Sequence, residues 1–163
     1  MLRVTKLTDY ATVVLTVLAA QPQGPDAVLS ASGLAERAGL ETTTVSKLLK
    51  PLAQAGLVEG FRGANGGYRL ARPADQIGLI EVVEAMEGPL GMTECSLHAG
   101  HCTIEDHCGV RANWRRINDV VIDTLRGVTL AQMTAPPPTS APAAIAASAQ
   151  ARRIDLRLAD IPA

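Results

Sequence analysis

One short segment constrains the fold of this chain more than any other: Leu34-Ala-Glu-Arg-Ala-Gly-Leu-Glu-Thr-Thr-Thr-Val-Ser-Lys-Leu-Leu49. Ala35 supplies a small residue where two helices can cross, and Gly39 tolerates the positive φ of a tight turn. Apolar residues that could lock the two helices together are Leu34, Ala38, Leu40, Val45 and Leu48. The pattern predicts a helix-turn-helix, whose second helix enters the DNA major groove, with an ordinary helical hairpin as the alternative.

The outward side of the second helix is polar and basic. Short hydroxyls can contact base edges and phosphates, and lysines add charge that attracts phosphate. The candidate DNA-binding residues on this helix are Thr42, Thr43, Thr44, Ser46, Lys47 and Lys50. Thr42 is also expected to cap the helix. Pro51 should kink or end the helix near Lys50, because proline removes a backbone hydrogen bond.

A hairpin is predicted directly after this helix. Leu57, Val58 and Phe61 favour one strand and Tyr68–Leu70 its partner, with a glycine-rich tip between them. A hairpin in this place is a wing, and its arginines and asparagine suit phosphates or a narrow minor groove, although a plain flexible turn is the alternative. The candidate DNA-binding residues of the wing are Arg62, Asn65, Gly66, Gly67 and Arg69.

Charge and composition agree with a helical, DNA-binding chain. Residues 41–72 carry five basic and two acidic side chains, a local charge of +3, although the whole chain has a net charge of −1. Hydrophobic residues make up 47% of the chain but aromatic residues only 2%, so the core must be aliphatic, which favours helices. We therefore predict a mainly α fold with a small β-wing, a winged helix-turn-helix followed by a long C-terminal helix.

All three cysteines of the chain lie close together in sequence, at Cys95, Cys102 and Cys108. Six and then five residues separate them, which does not match a Cys-x-x-Cys redox pair or the paired knuckles of most structural zinc sites. Three thiolates on a glycine-containing loop suit a soft centre such as an iron–sulfur cluster. Zinc and a metal-free reactive thiol are the alternatives.

Four regions are predicted along the chain, with three further helices. Apolar residues recur at helical spacing from Leu7 to Leu18, a second helix is predicted over Ile77–Glu87, and residues 109–133 predict a long amphipathic helix. Its apolar stripe consists of Val110, Trp114, Ile117, Val121, Leu125 and Val128. The predicted regions are a DNA-binding domain (1–91), a cysteine loop (92–108), the long amphipathic helix (109–133) and a disordered Ala/Pro-rich tail (134–163).

The cellular location is predicted to be the cytoplasm. No stretch approaches the roughly 20 apolar residues that span a membrane. The apolar run Ala11–Ala20 superficially resembles a signal peptide, but Asp9 and the helical spacing favour a core helix. An odd number of clustered cysteines also argues against a secreted disulfide framework.

Together these motifs resemble a known family, the bacterial winged-helix regulators of the IscR, NsrR and RirA type. The resemblance is closest to regulators of SUF-system iron–sulfur assembly and covers about residues 1–133. It rests on Leu7-Thr-Asp-Tyr-Ala11, the helix-turn-helix, Arg62-Gly-x-x-Gly-Gly-Tyr68 and the cysteine triplet. It implies a homodimer on a pseudo-palindromic double-stranded DNA operator, with the long helix over 109–133 as the dimerisation helix. It also implies that an iron–sulfur cluster (2Fe–2S or 4Fe–4S) controls DNA affinity.

The resemblance assigns Cys95, Cys102 and Cys108 as cluster thiolates, although the first gap is one residue longer than the common five. Regulators of the IscR type add a histidine three residues after the last cysteine, where this chain has Arg111. In the NsrR type an aspartate from the partner's first helix serves, and Asp9 matches it. Asp9 is therefore our expected fourth ligand, and the loop histidines compete with it: His98, His101 and His107.

The sequence thus predicts a transcription regulator, a repressor that senses an iron–sulfur cluster, rather than an enzyme. Its genes would be those of iron–sulfur assembly or of iron, redox or nitric-oxide responses. A winged-helix regulator stabilised by zinc or using reactive thiols is the main alternative. A cysteine-nucleophile enzyme lacks support because no Gly-rich oxyanion segment is visible, and a cluster carrier would leave the DNA-binding motifs unexplained.

Overall fold

The computed structural model describes residues 4–22, 28–63, 66–97, 102–104 and 107–135. These residues divide into a first unit, formed by 4–90 and 123–135, and a second unit, formed by 91–122. The tail that we predicted to be disordered, 134–163, lies outside the described residues from position 136 onward. Within the described ranges, no helix has both the length and the apolar character that crossing a membrane requires.

The first unit is mainly helical with one small sheet. Its elements are α1 (Lys6–Ala19), α2 (Ala31–Ala38), α3 (Thr42–Gln54), β1 (Val58–Phe61), β2 (Gly67–Leu70), a 3-10 turn (Ala74–Gln76), α4 (Leu79–Glu87) and α7 (Leu130–Thr134). This architecture confirms the predicted class, mainly α with a small β-wing.

The core of the first unit is aliphatic, as the composition requires. Each large side chain in it contributes about 1.5–3 kcal/mol by leaving water. The buried residues of the first three helices are Ala11, Val14, Leu15, Leu18, Leu34, Ala35, Val45, Leu48, Leu49 and Leu52. Leu7, which begins the apolar spacing of the first helix, is instead 51% exposed.

The turn between α2 and α3 has the predicted geometry. Ser30 caps α2 by accepting a hydrogen bond from the Gly33 N–H at 3.1 Å. Gly39 ends the helix with φ of +65°, where a side chain would be strained. The Leu40 N–H then donates to the Ala35 carbonyl at 2.9 Å, which closes the turn. The helix-turn-helix predicted from Leu34–Leu49 is therefore confirmed.

The wing is an antiparallel hairpin in the predicted place. Val58 pairs with Leu70 and Phe61 with Gly67. Leu29, just before α2, extends this sheet by exchanging two hydrogen bonds with Tyr68, at 2.8 and 3.0 Å. The hairpin is thereby attached to the start of the helix-turn-helix.

Two predictions about α3 were wrong. The helix does not end near Lys50 but continues through Pro51 to Gln54, while a kink at Pro51 stays a prediction. Proline leaves the carbonyl of exposed Lys47 without its helical donor, but water can replace that donor, and burial of Leu52 stabilises the last turn. Thr42 is not the cap either, because Glu41 occupies the N-cap position and makes no side-chain cap hydrogen bond.

Two other helix boundaries also differ from prediction, for one shared reason. The helix predicted over Ile77–Glu87 begins at Leu79, and the one predicted over 109–133 ends at Gly127, with α7 following separately. Gly78, just before α4, forms a β-bridge with Thr129, which lies between α6 and α7. Its hydrogen bonds, Leu79 N–H to Val128 O and Leu130 N–H to Ile77 O, are both 2.8 Å long.

The second unit contains the described residues of 92–108, called the cysteine segment from here on, and most of one helix. Its elements are α5 (Glu94–Leu97), a single turn, and α6 (Arg111–Gly127), whose last five residues belong to the first unit. Asn118 is the buried residue of α6. The apolar stripe is not buried: Val110, just before the helix, is 46% exposed and Trp114 is 38% exposed.

Candidate nucleic-acid interface and cysteine centre

The outward face of α3 carries the predicted DNA-binding side chains. Thr44 is half-buried and the other five are exposed: Thr42, Thr43, Ser46, Lys47 and Lys50. The Ser46 hydroxyl donates to the Thr42 carbonyl at 2.8 Å, which leaves its oxygen lone pairs as acceptors. Because the opposite face is fixed in the core by Val45 and Leu48, α3 presents these groups on a rigid support.

The predicted residues at the tip of the wing have different environments. Arg62 is exposed, Gly66 is half-buried and Gly67 is buried. Asn65 lies outside the described residues. A Cβ atom on Gly67 would come within 2.6 Å of the Leu29 backbone, so the glycine is required for the sheet to reach Leu29. The sequence predicts Gly67 as part of the glycine-rich tip and as a DNA contact, but its packing against Leu29 depends on a residue distant in sequence.

Arg69, also predicted to bind DNA, stabilises the wing by contacts with the opposite strand. Its Nη2 atom lies 3.0 Å from the Glu59 carboxylate, and the two residues are directly opposite on β2 and β1. Its guanidinium also lies 4.6 Å from the centre of the Phe61 ring. The positive charge of Arg69 is therefore partly compensated within the hairpin.

Arg72, just after the wing, is similarly engaged. Its Nη2 atom lies 2.6 Å from the Glu81 carboxylate. Partial burial of Glu81 opposes ionisation, but hydrogen bonds from Arg72 and from the Gly78 N–H outweigh it and lower the pKa of Glu81. This pair joins the end of the wing to α4 within the first unit.

The three cysteines are all free thiols, and their exposure differs. Cys95, on α5, is 9% exposed, whereas Cys102 and Cys108 are half-buried. The Thr93 hydroxyl lies 3.3 Å from the Cys95 sulfur. Three free thiols are the donor type that iron–sulfur clusters and zinc require, so the donor set fits a thiophilic centre.

The candidate fourth ligands have different positions. Asp9 is exposed in the first turn of α1, and His107 is exposed in the second unit, whereas His98 and His101 lie outside the described residues. Arg111 is the first residue of α6. In the part of the chain that the structure describes, no three Cys, His, Asp or Glu side chains are grouped closely enough to hold a metal ion. Ligation by these residues is accordingly a proposal.

Sequence reasoning missed a polar network at the start of α1. The Glu87 carboxylate accepts hydrogen bonds from the Thr5 N–H at 2.9 Å and from the Thr8 hydroxyl at 2.5 Å. Thr8 is only 1% exposed. The hydrogen bonds from Thr8 and then Thr5 lower the pKa of Glu87. The sequence pattern Thr5-x-x-Thr8 places two hydroxyls at the start of α1, but it gives no sign of their partner Glu87.

A second missed contact set holds the cysteine segment. Asn118 Oδ1 accepts a hydrogen bond from the Met92 N–H at 3.0 Å. Arg115 Nε donates to the Cys95 carbonyl at 3.3 Å. Both partners in the segment are backbone groups, so no side-chain motif could have revealed these contacts.

A family model described as an iron-dependent transcriptional regulator, Rrf2, matches residues 4–136. The chain belongs to the Rrf2 family. Among curated Rrf2 relatives, protein aau3 of Rhizobium meliloti is 37% identical over 131 residues, covering 79% of this chain and 82% of that protein. The regulator IscR of Cronobacter sakazakii is 32% identical over 133 residues, covering 81% and 80% respectively. The chain is therefore a DNA-binding transcriptional regulator and not an enzyme.

Solved structures agree with the winged-helix architecture of this Rrf2 protein. CymR of B. subtilis, a global cysteine regulator, aligns with a TM-score of 0.63 and 29% identity, covering 82% of this chain and 97% of that one. IscR of T. potens aligns with a TM-score of 0.61 and 27% identity, covering 89% and 96%. The two neighbours bear the names of different regulators, so the shared fold does not by itself specify the signal.

Proposed function

We propose that this Rrf2 protein is a homodimeric repressor whose DNA affinity depends on an iron–sulfur cluster held by Cys95, Cys102 and Cys108. Its target genes would be those of iron–sulfur assembly or of the iron, redox or nitric-oxide response. The observation that carries the proposal is the set of three free thiols in the segment between the winged helix and α6. The resemblance to IscR in sequence and in structure supports the same conclusion.

The three thiols differ in burial, and we expect them to differ in the same way as ligands. Cys95 is buried in α5 and would supply a fixed ligand, whereas half-buried Cys102 and Cys108 would remain accessible to iron and to reactive small molecules. A bound cluster would supply a redox- and ligand-sensitive centre. Asp9 of the partner subunit is the proposed fourth ligand, and an oxygen donor in that place makes a centre more exchangeable than four thiolates do.

The apolar stripe of α6 supports a homodimer. Large apolar side chains that remain exposed in one chain mark an interaction surface when they are contiguous. Val110 and Trp114 are 46% and 38% exposed, and Ile117, Val121 and Leu125 along the same stripe are only half-buried. A second copy of α6 would cover the stripe with the same residues, as a two-fold interface requires.

The proposed DNA contacts follow from the exposed groups of the first unit. Lys47 and Lys50 on α3 would contact phosphates, while Thr42 and Thr43 near the start of α3 would reach base edges. Arg62 at the wing would contact the backbone or the minor groove. The dimer would place two such helices on the two halves of a pseudo-palindromic operator.

Metal analysis tests the cluster half of the proposal. We expect anaerobically purified protein to be brown, to contain iron and sulfide, and to absorb visible light. Cys102→Ala should abolish this absorption because it removes a thiolate, while Thr103→Ala, at the exposed neighbour of Cys102, should preserve it. A colourless protein with stoichiometric zinc would instead contradict cluster sensing and leave DNA binding intact.

A thiol-based regulator is the second candidate. It is favoured by the partial exposure of Cys102 and Cys108 and by the structural likeness to Staphylococcus aureus CymR, solved in an oxidised form with a TM-score of 0.58 and 26% identity. The two candidates differ in one measurable respect. A thiol sensor would lose DNA affinity on oxidation in metal-free protein, whereas a cluster sensor would respond only when loaded with iron and sulfide.

A further inference from the structure

A buried amide side chain on α6 has a backbone partner next to the first cysteine. Asn118 is 4% exposed, and burying an amide is unfavourable unless it is hydrogen-bonded. Its Oδ1 atom accepts from the Met92 N–H at 3.0 Å, three residues before Cys95. The hydrogen bond therefore both satisfies the buried amide and attaches the cysteine segment to α6.

A second contact from the same helix holds the other end of this segment. Arg115 precedes Asn118 by three residues, so the two side chains lie on one face of α6. Arg115 Nε donates to the Cys95 carbonyl at 3.3 Å. The segment 92–95 is thus fixed to α6 at both ends, by one backbone N–H and one backbone carbonyl.

The segment also has internal order. Thr93 and Ser96 hydroxyls are 2.7 Å apart, and the Ser96 N–H donates to the Thr93 carbonyl at 2.9 Å. A Cβ atom on Gly91 would collide with the Leu97 side chain, so the start of the segment packs closely against the end of α5. Cys95 is consequently held with its sulfur 3.3 Å from the Thr93 hydroxyl.

We propose that Asn118 is a positioning residue for Cys95: it fixes the first thiol of the centre in advance, so that Cys102 and Cys108 complete a site whose first ligand is already placed. The inference deepens the proposed function and rests on it in taking Cys95 as a ligand. Preorganisation of this kind lowers the entropic cost of bringing several ligands together in one centre.

The test uses full-length, metal-free protein in which Cys95 is the only cysteine, made with Cys102→Ser and Cys108→Ser. Its reaction rate with Ellman's reagent reports how often the thiol becomes accessible. Asn118→Leu keeps the number and branching of the side-chain heavy atoms but removes the acceptor, and should raise the Cys95 rate about tenfold, because segment opening becomes easier. Asn118→Asp restores an acceptor for the Met92 N–H and should return the rate to within about twofold of the parent.

Two controls separate positioning from general loosening. Asp119→Leu changes the exposed neighbour of Asn118 and should leave the Cys95 rate unchanged. In a protein whose only cysteine is Cys102, Asn118→Leu should leave the Cys102 rate unchanged. The proposal is overturned if Asn118→Leu leaves the Cys95 rate unaltered, or if it raises the Cys102 rate to the same degree.

Anaerobic iron and sulfide loading of the three-cysteine protein then connects positioning to ligation. Asn118→Leu should load more slowly than wild type, and Asn118→Asp should recover. Equal loading of wild type and Asn118→Leu would overturn the role of Asn118 in the centre. If wild type itself takes up no iron, the proposed function fails, while the Ellman rates still decide whether Asn118 positions Cys95.

Discussion

Gly67 has no side chain, and this allows the wing to lie against the backbone of Leu29. The residue is buried on β2, and a Cβ atom there would approach the carbonyl carbon and oxygen of Leu29 to 2.6 Å. These atoms belong to the bridge that attaches the hairpin to the helix-turn-helix. Any larger residue must therefore separate Leu29 from Tyr68.

Gly67→Ala should destabilise the metal-free protein by about 1–3 kcal/mol, the usual cost of forcing a group into packed space. The measurement is the shift in the urea unfolding midpoint. Gly127→Ala is the matched control, because a Cβ on Gly127 would meet no atom within 4 Å. An unfolding midpoint for Gly67→Ala equal to that of wild type would contradict the packing argument.

Glu87 connects the end of α4 to the start of α1 and makes stability depend on pH. Its pKa is held below the ordinary value of 4.5 by hydrogen bonds from Thr8 and Thr5. Because the folded state favours the charged form, the stabilisation is fully present above about pH 4.5 and is lost as pH falls through the lowered pKa.

Glu87→Gln should therefore be less stable than wild type at pH 7, and the difference should shrink as the pH is lowered below 4.5. The effect should not exceed about 1 kcal/mol, since the carboxylate is exposed and water screens it. Urea titrations at a series of pH values measure it. Glu84→Gln removes the same charge from α4 but keeps the two hydrogen bonds, so a response equal to that of Glu87→Gln would refute the assignment.

Among the structural elements, the wing carries two arginines, both predicted from the sequence to bind DNA, that have different surroundings in the structure. Arg62 is exposed, while Arg69 is paired with Glu59 and lies over Phe61. A cation already compensated by a carboxylate releases less free energy on meeting a phosphate than an exposed one. The two residues should therefore contribute unequally to DNA affinity.

Arg62→Ala should weaken operator binding and reduce the slope of log affinity against log salt by about one. Arg69→Ala should change that slope less and instead lower the unfolding midpoint, since it removes a cross-strand pair of β1 and β2. Fluorescence anisotropy on an operator selected from random duplexes, at several salt concentrations, measures both slopes. A larger loss of slope for Arg69→Ala than for Arg62→Ala would be the opposite of this expectation.

The elements that depend on local sequence were predictable, and those that depend on distant partners were not. Gly39 and the apolar spacing around it specify the helix-turn-helix, and the glycine-rich tip specifies the wing. The helix through Pro51 depends on the burial of Leu52, which outweighs the local cost of proline. The start of α4 and the end of α6 depend on a bridge between Gly78 and Thr129, residues far apart in sequence.

The same division applies to the candidate site. The three thiols were evident from the sequence because cysteine chemistry belongs to the side chain and the spacing is local. Asn118 was not evident, because its partner is a backbone N–H 26 positions away, and every residue except proline carries such a group. Thr8 and Glu87, separated by 79 positions, were missed for the same reason.

At the scale of the whole molecule, the exposed stripe of α6 predicts the oligomeric state. Trp114→Glu places a charge on a side chain that is 38% exposed in one chain, so the fold of the chain should survive while the proposed dimer dissociates. Sedimentation equilibrium measures the change. Ala112→Glu, exposed on a different face of α6, should stay dimeric. A Trp114→Glu protein that remains dimeric would exclude the stripe as the dimer interface.

Control of DNA binding by the cysteine centre requires that the protein with its cluster and the protein without it differ in affinity for the operator. Protein loaded anaerobically with iron and sulfide, and protein from which a chelator has removed the iron, are each titrated onto the same selected operator at one salt concentration. We expect affinities that differ by about 5- to 150-fold, the usual range of allosteric coupling, and no difference between the two preparations of Cys102→Ala. Equal affinity of loaded and stripped wild-type protein would contradict it.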